Sequence, residues 1–395
     1  MATRNPPASS SNSLRQDLIE KAHRIGTTVV GPAADAVDRE ARFPHESFAA
    51  LRQERMLGAF IPQEFGGQGC SISDLAAICT TLGQYCASTA MVYAMHQIQI
   101  GCLVRHGQSA PFHRAMLSQL AEKEELLASA TTEVGIGGDV RSSVCAVEVQ
   151  GGRISLTKQA PVISYGAYAD HILVTARRAP DAATSDQVIV LVQKADTRLE
   201  QTGTWDTMGM RGTCSLGYLL TATGSAEQVL PQPYAEISAQ TMLPFSHIVW
   251  TSLWLGIATD AVNRARAYIR GEARKKPGTT PPGALRLAEV MAILQTMRAT
   301  VEDGTREYER LMHDPEALSG IGFAIRMNNL KIAGSQLAVE IVGRALQVCG
   351  ITGYRNDSKY SLTRHLRDAY GTGLMVANDR IYGHNASLLL VHKDE

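Results

Sequence analysis

A glycine-rich run near the middle of the chain has the residue types that best suit ligand chemistry. It reads Gly135-Ile-Gly-Gly-Asp139 and follows two adjacent hydroxyl residues, Thr131 and Thr132. Glycine adopts backbone conformations that other residues avoid, and it lets a ligand approach the main chain closely. The run opens a β-rich region, and the chain has neither a GxxxxGK[ST] motif nor a GxGxxG motif between a strand and a helix. We therefore expect neither of the common nucleotide-phosphate loops.

Motifs for hydrolytic and metal chemistry are missing from the sequence. No GxSxG or HExxH pattern occurs, and the 11 histidines are scattered. His106 and His113 have no third and fourth ligand nearby in the chain, whereas a structural metal site needs about four. We expect no metal ion.

Three regions of different residue pattern must position these residues. After a polar leader at 1–13, predicted to be disordered, residues 14–126 have apolar side chains three and four apart, which predicts an N-terminal helical domain. Residues 127–235 contain short β-branched alternations about ten residues apart, which predict a central antiparallel β-barrel or sandwich domain. From 236 to 395 the helical pattern returns and predicts a C-terminal four-helix bundle. The fold class is therefore α+β with several domains.

Composition and charge argue against several classes of function. Lys plus Arg and Asp plus Glu each number 38, so the net charge is zero and nucleic-acid binding is not expected. No apolar run approaches the ~18 residues of a membrane-spanning helix, so no membrane partner is expected. The seven cysteines form no CxxC pair, which is typical of free thiols in a reducing compartment. The sequence thus predicts a cytoplasmic protein.

Five segments, in the same order along the chain, resemble the acyl-CoA dehydrogenase-type flavoprotein family. They are Asp38–Pro44, Pro62–Gly69, Ala130–Asp139, Met208–Thr213, and Gln347–Tyr354 with Arg367–Ala369. The third is similar to the family's TEPxxGSD flavin loop, the fourth to its LGMRGT segment, and the fifth to its QxxGGxGY and RDA block. The resemblance runs from Asp17 to the C-terminus.

This resemblance implies that FAD binds in a cleft between the β domain and the C-terminal helices. Thr131 and Thr132 supply hydroxyl groups, Gly137 and Gly138 allow close approach, and Ser164 falls where the family has a threonine near flavin N5. The other cofactor-binding residues that it implies are Gln347, Gly350, Asn378, Arg270 and Arg274. The two arginines stand near the segment through which a neighbouring subunit grips the FAD pyrophosphate, so a homo-oligomer, dimer or tetramer, is expected.

Several family positions carry other residues in this sequence. The aromatic residue two positions before the threonine is Val162, the loop serine is Gly138, and the loop proline is Val134. The second glycine of the Gly-Gly pair is Ile351, and the RxxFG segment reads Glu272-Ala-Arg-Lys-Lys276. We expect flavin binding to be kept in outline and changed in detail.

The family's catalytic base is missing from both of its usual positions. Dehydrogenation removes a weakly acidic α-proton from an acyl thioester, so a carboxylate must be placed beside it. In most members a glutamate stands nine residues after the arginine of RDA, which gives Val376 here. A minority carry it on the first C-terminal helix, where Ser246 stands, and the next residue, His247, replaces an arginine that steadies CoA. Met95 and His96 complete the implied substrate pocket with Ser246 and Val376.

Four explanations of the missing base stay open. The base has moved, to Asp379 or to His247; or the substrate is acidic enough to need none; or the protein reacts reduced flavin with dioxygen, as an oxidase or monooxygenase; or it only binds flavin or an acyl thioester. The resemblance favours α,β-dehydrogenation of an acyl-CoA or related thioester, with dioxygen or an electron-transfer flavoprotein as electron acceptor. The alternative is an oxygen-using enzyme that acts on an unusual CoA ester in specialised metabolism.

Overall fold

The N-terminal region is helical, as the apolar spacing predicts. The computed structural model describes residues 8–393, and the α-helices before the first strand are α1 (Ala8–Ile25), α2 (Gly31–Glu40), α3 (His45–Gln53), α4 (Ile72–Gly83), α5 (Ala87–His106) and α6 (Pro111–Lys123). A capping box between Ser71 and Asp74 starts α4. Helix α5 is buried around nearly its whole surface, so it forms the centre of this domain.

The central region forms two open sheets. Its strands are β1 (Leu127–Ala130), β2 (Glu148–Gln150), β3 (Arg153–Ile163), β4 (His171–Arg177), β5 (Gln187–Gln193), β6 (Thr197–Gln201) and β7 (Leu216–Ser225). One sheet has the order β1-β4-β5 and the other the order β2-β3-β7-β6. Strands β4 and β5 are buried at nearly every position. Strand β3 alternates between buried and exposed residues, as a strand with one covered face does.

Three long helices dominate the C-terminal region. Its α-helices are α7 (Tyr234–Ile237), α8 (Leu243–Lys275), α9 (Ala284–Leu311), α10 (Pro315–Leu318), α11 (Ile321–Cys349), α12 (Ile351–Tyr354), α13 (Thr363–Tyr370) and α14 (Asn378–Leu389). Helix α8 packs against α4, α9 and α11, so it joins the N-terminal domain to the C-terminal helices. Helix α14 packs on α11. The predicted order of helical, β and helical domains is confirmed.

The two sheets stay open, so the sandwich alternative of the predicted β domain is confirmed. Two details differ from the sequence prediction. Helix α1 begins at Ala8, so residues 8–13 are helical rather than part of a disordered leader, because a polar segment without apolar spacing can still extend a helix that follows it. Residues 1–7 lie outside the described part of the chain. Strand β1 pairs with β4 in parallel, which alternation cannot predict, because side chains alternate equally in parallel and antiparallel strands.

Three further properties of the described residues bear on partners and cofactors. No helix within residues 8–393 combines the length and hydropathy that crossing a membrane requires. All seven cysteines are buried and free of disulfide bonds. Within the same part of the chain, no group of three or more His, Cys, Asp or Glu residues is placed to hold a metal ion.

Candidate active site

The Gly-rich loop is fixed to the β domain by a buried ion pair. Glu133 accepts a hydrogen bond from the Ser143 hydroxyl at 2.7 Å and two more from backbone N–H groups of the following turn. Lys158 on β3 lies 3.1 Å from the same carboxylate and also donates to the Thr175 carbonyl oxygen. Burial opposes ionisation of Glu133, but the Ser143 hydroxyl and Lys158 outweigh it and hold its pKa below the usual range. Each partner would leave an uncompensated buried charge without the other, so the pair anchors the loop firmly.

The loop presents its main chain openly. It begins with half-buried Thr131, and Gly137 and Gly138 have φ values of +58° and +78°, in the left-handed region that favours glycine. At Gly137 no heavy atom lies within 4 Å of where a Cβ would stand, so the backbone there is accessible to a ligand. At Gly138 a Cβ would overlap the guanidinium of Arg380. Arg380 Nη2 donates to the Gly137 carbonyl oxygen at 2.6 Å, so the first turn of α14 meets the loop.

A row of hydroxyl groups lies where the loop meets the end of β3. Thr132 donates to the Val162 carbonyl oxygen at 3.0 Å, which ties the loop to β3 just before Ser164. The Ser164 and Ser215 hydroxyl oxygens are 2.8 Å apart, and Thr213 Oγ1 lies 2.8 Å from Ser215. The structure therefore brings Thr132 and Ser164 into one neighbourhood. Because the Thr132 hydrogen is engaged within the protein, this hydroxyl can only accept from a ligand.

The turn at 208–213 is clamped by two adjacent residues of α13. Asp368 accepts a hydrogen bond from the Met210 backbone N–H at 2.7 Å, and burial raises its pKa to about 6. Arg367 donates to a carbonyl oxygen of the same turn at 2.8 Å and pairs with Asp38 of α2. The pair therefore joins all three domains and positions the turn that carries part of the hydroxyl row.

Val376, at the usual position of the catalytic glutamate, stands in a turn held by a buried lysine. Its φ is +49°, which is unusual for a β-branched residue. Its carbonyl oxygen accepts a hydrogen bond from Lys331 Nζ at 2.7 Å, and Lys331 also donates to Asn378 Oδ1 at 2.7 Å. The Lys331 side chain is fully buried, and burial lowers its pKa to about 8. The turn at the base position is therefore bound to a cation instead of carrying a carboxylate.

Asn378 and Asp379 begin helix α14. Asn378, predicted to bind the cofactor, accepts from Lys331 and donates to Ser335 Oγ at 3.0 Å. Both ends of its amide are thus engaged within the protein, and its oxygen helps to satisfy the buried Lys331 ammonium. Asp379, predicted as a relocated base, is exposed and lines a cavity of about 500 Å³ with Tyr370 and parts of α11. No residue of the Gly-rich loop lines that cavity.

The alternative base position on α8 is packed between helices. Ser246 Oγ donates to the Leu243 carbonyl oxygen of its own helix at 2.7 Å. His247 Nδ1 lies 2.9 Å from the Met327 carbonyl oxygen, so Nδ1 carries the proton, since a carbonyl can only accept. Burial and the charge of Lys331 lower the pKa of His247 to about 4. His247 is therefore a neutral, buried histidine that joins α8 to α11.

His96 lies in the core rather than in a substrate pocket. Its side chain has no exposed surface. Nε2 lies 3.0 Å from the Leu57 carbonyl oxygen, and Nδ1 accepts from the Leu127 backbone N–H at 3.0 Å, so both ring nitrogens are occupied. Helical spacing shows which face a residue lies on but not that a strand of the next domain covers that face. Met95 is partly buried against the same core.

A second group of predicted cofactor residues lies at the C-terminal ends of α8 and α11. Arg270 and Arg274 are one turn apart and line one open cavity of about 400 Å³ with Tyr360. Gln347 is exposed, and Gly350 has φ +55° with no heavy atom within 4 Å of a Cβ position. No residue of the β domain lines that cavity. Within one chain, this group therefore lies apart from the Gly-rich loop. Such a separation is expected if two subunits share a cofactor site.

The fold and these segments define the class of protein. The model of the acyl-CoA dehydrogenase N-terminal domain matches residues 13–124, and the model of the acyl-CoA dehydrogenase C-terminal domain matches residues 237–375. Together they cover more than half of the chain. The chain belongs to the acyl-CoA dehydrogenase family, which confirms the resemblance seen in the sequence.

The relatives of this chain carry out more than one reaction. Amino sugar nitrososynthase DnmZ from Streptomyces peucetius is 26% identical, over 86% of this chain and 84% of that protein. Cyclohex-1-ene-1-carbonyl-CoA dehydrogenase from Syntrophus aciditrophicus is 23% identical, over 92% of this chain and 86% of that protein. Among solved structures, FMN-bound TdsC from Paenibacillus sp. A11-2, a dibenzothiophene monooxygenase, matches with a TM-score of 0.82 at 20% identity, over 97% of this chain and 98% of that chain. At this identity the structural likeness shows the fold and leaves the reaction open.

Sequence reasoning assigned no role to three residues that shape the site. Glu133 lies inside the loop segment, where a carboxylate is common in an ordinary turn. Lys331 is a single lysine within a long helix, and Arg380 is 243 residues from the glycine whose carbonyl it binds. One signal existed: glycine in place of the family serine at Gly138 indicates that another group fills that space.

Proposed function

We propose that this chain is a flavin-dependent oxygenase rather than a dehydrogenase of ordinary acyl-CoAs. The turn at Val376 carries the proposal. The position of the family's glutamate holds an apolar side chain, and the cations Lys331 and Arg380 donate hydrogen bonds to this turn and to the Gly-rich loop, respectively. Reduced flavin, when bound, supplies the two electrons with which dioxygen transfers one oxygen atom to an organic substrate and releases the other as water.

The residues of the loop fit a flavin. A flavin is held by main-chain groups and hydroxyls rather than by a Rossmann loop in this family, and Gly137 offers an open main chain beside Thr131 and Ser164. The Gly-rich loop would hold the ring system. Arg270 and Arg274 of a neighbouring copy would hold the second phosphate of FAD, which FMN lacks. We therefore propose FAD as the cofactor, with FMN as the comparison in every binding experiment.

The side chains around the turn suit electron transfer to dioxygen. Negative charge develops on dioxygen as it is reduced, and fixed cations stabilise such charge most where water is excluded. Lys331 is fully buried, and its pKa of about 8 leaves it mostly protonated at neutral pH. The Val376 side chain is 49% exposed, so this turn presents apolar surface instead of a proton acceptor. These groups favour oxygen chemistry and offer no base for an α-proton.

Dehydrogenation of an acyl-CoA is the second candidate, and Asp379 is the residue that favours it. This carboxylate stands three residues after Val376, in the first turn of α14. It would have to turn from its own cavity toward the flavin and take the α-proton of the thioester, and the electrons would then pass to an electron-transfer flavoprotein. The dehydrogenases among the relatives support this candidate in the way that the oxygenases support the first.

We also propose that the protein is a cytoplasmic homo-oligomer, a dimer or a tetramer. Exposed apolar patches are typical of contact surfaces. The five most exposed large apolar side chains in the C-terminal region are Leu285 at 72%, Ile351 at 73%, Tyr354 at 67%, Leu374 at 77% and Leu390 at 87%. Burying them against a second copy would also bring Arg270 and Arg274 to the neighbour's flavin.

Anaerobic reduction by substrate tests the proposed function. The protein is loaded with FAD or FMN and mixed without oxygen with butyryl-CoA or octanoyl-CoA, and flavin absorbance is followed by stopped flow. A glutamate-bearing acyl-CoA dehydrogenase is the matched control. We expect reduction slower than in the control by about 10² to 10⁴, the usual contribution of a positioned general base. Reduction as fast as in the control would overturn the proposal in favour of dehydrogenation. A protein that retains neither flavin would overturn both candidates.

A further inference from the structure

Arg380 is the one charged side chain of α14 that touches the Gly-rich loop through a hydrogen bond among the described residues. Its Nη2 donates to the Gly137 carbonyl oxygen at 2.6 Å. A guanidinium carries five N–H donors in a rigid plane, so most of them stay free after this contact. No carboxylate of the described residues forms a salt bridge with it, whereas the neighbouring Asp139 is paired with Arg141 at 3.1 Å. The charge of Arg380 is therefore not cancelled by a direct partner.

Arg380 and Gly138 form a matched pair. A Cβ on residue 138 would stand inside the space that the guanidinium fills. The serine that the family carries at this position is therefore incompatible with Arg380 in its present place. One contact thus joins the family departure at Gly138 to Arg380, 242 residues away in the sequence.

The other charged groups near the Gly-rich loop do not cancel the positive charge of Arg380. Asp139 is occupied by Arg141, and the arginines Arg141 and Arg380 together lower its pKa despite the opposing effect of burial. His384, one turn after Arg380, has a pKa lowered by burial and by Arg141, so it is neutral at pH 7. Asp379 lines a different cavity. Lys331 is a second cation, and it is hydrogen-bonded to Asn378 at the start of the same helix.

We propose that Arg380 supplies a fixed positive charge to the flavin loop and makes a bound flavin easier to reduce. The inference rests on the proposed function only in requiring that the loop binds flavin. Flavin gains negative charge on reduction, and charge placed beside the ring tunes its potential. A cation therefore tightens the binding of reduced flavin more than that of oxidised flavin. This assigns to Arg380 a role in setting the potential and not in the chemical step.

The test compares the midpoint potential of the bound flavin in wild type, four single variants and the Gly138→Ser/Arg380→Met double variant. Arg380→Met removes the charge, Arg380→Lys keeps it, and Gly138→Ser displaces the guanidinium. Gly152→Ser is the matched control, because Gly152 lies between β2 and β3, outside the Gly-rich loop, and has a left-handed φ of +76° with no heavy atom within 4 Å of a Cβ position. Potentials are measured by reductive titration against reference dyes, and the affinity for oxidised flavin is measured separately by fluorescence.

We expect Arg380→Met to weaken binding of reduced relative to oxidised flavin by about tenfold, which lowers a two-electron potential by ~30 mV. The potentials of Arg380→Lys and Gly152→Ser should stay near that of wild type. The midpoint potential of Gly138→Ser should fall toward that of Arg380→Met. Adding Gly138→Ser to Arg380→Met should lower the potential no further. An unchanged potential in Arg380→Met, with flavin bound, would overturn this inference alone. A wild-type protein that binds neither FAD nor FMN would overturn it together with the proposed function.

Discussion

Replacing Val376 with glutamate should turn this protein toward acyl-CoA dehydrogenation. The substitution restores a carboxylate nine residues after Arg367, where most of the family carries its base. The backbone tolerates the change, because φ at Val376 is +49° and an unbranched side chain is less crowded there than a β-branched one. A positioned general base contributes about 10² to 10⁴ in rate, or ~3 to 5 kcal/mol of barrier.

The neighbouring cations set the size of this effect. Lys331 Nζ lies 2.7 Å from the Val376 carbonyl oxygen, and Arg380 stands four residues further on. Opposite charges within about 4 to 6 Å lower the pKa of a carboxylate by about 1 to 3 units. The new glutamate would stay ionised but would be a weaker base than in the family. We therefore expect reduction by butyryl-CoA to accelerate by about 10², the lower end of the range.

The assay is anaerobic stopped-flow reduction of the bound flavin. Val376→Gln is the control, because it has the shape of glutamate without the charge, and it should keep the wild-type rate. A Val376→Glu variant no faster than Val376→Gln would refute the reasoning that this turn is the vacant base position. If wild type itself is rapidly reduced, the base is elsewhere, and Asp379→Asn then tests the remaining carboxylate near the turn.

Three other predictions follow from burial and charge. Lys158→Met leaves a buried carboxylate unpaired and should destabilise the β domain by ~3 to 5 kcal/mol, whereas Lys194→Met, at an exposed position of the same domain, should not; thermal denaturation of both variants checks this. Burial lowers the pKa values of His96 and His247 to about 4, so the unfolded chain takes up protons below pH ~6.5 that the folded chain refuses, and the unfolding free energy should fall between pH 6.5 and 4 by up to ~3 kcal/mol per histidine. Guanidinium titrations that show no fall over this window would contradict the assignment of both histidines as neutral. Light scattering should show a dimer or tetramer, and a flavin-retaining monomer at micromolar concentration would rule out a shared cofactor site.

The parts of the site that local sequence determines could be predicted. The Gly-rich loop opens its backbone at Gly137, because glycines permit left-handed turns that other residues avoid. The Arg367–Asp368 pair, which clamps a turn of the β domain, lies in a segment that the family resemblance singles out. The order of the domains follows from hydrophobic periodicity, which changes from helical to strand spacing and back.

The parts that depend on contacts between distant segments could not be predicted. Asn378 matches a cofactor-binding position, yet its amide is taken by Lys331, a residue 47 positions earlier in the chain. His96 lies on the expected helix, but the backbone of Leu127 covers it. Arg380 falls on a helix whose facing partner is set by packing of the whole C-terminal domain. No local sequence pattern encodes these pairings. The arrangement of charged groups around the site is therefore visible only in the structure.

The rate at which reduced, flavin-loaded protein reacts with dioxygen tests the central claim most directly. Flavin is reduced without substrate, for example by light, and mixed with air-saturated buffer in a stopped-flow instrument beside a glutamate-bearing acyl-CoA dehydrogenase treated in the same way. With an apolar residue at the base position, Lys331 bound to that turn and Arg380 bound to the Gly-rich loop, this protein should be reoxidised faster than the dehydrogenase. Reoxidation as slow as that of the dehydrogenase, together with rapid reduction by an ordinary acyl-CoA, would contradict the account.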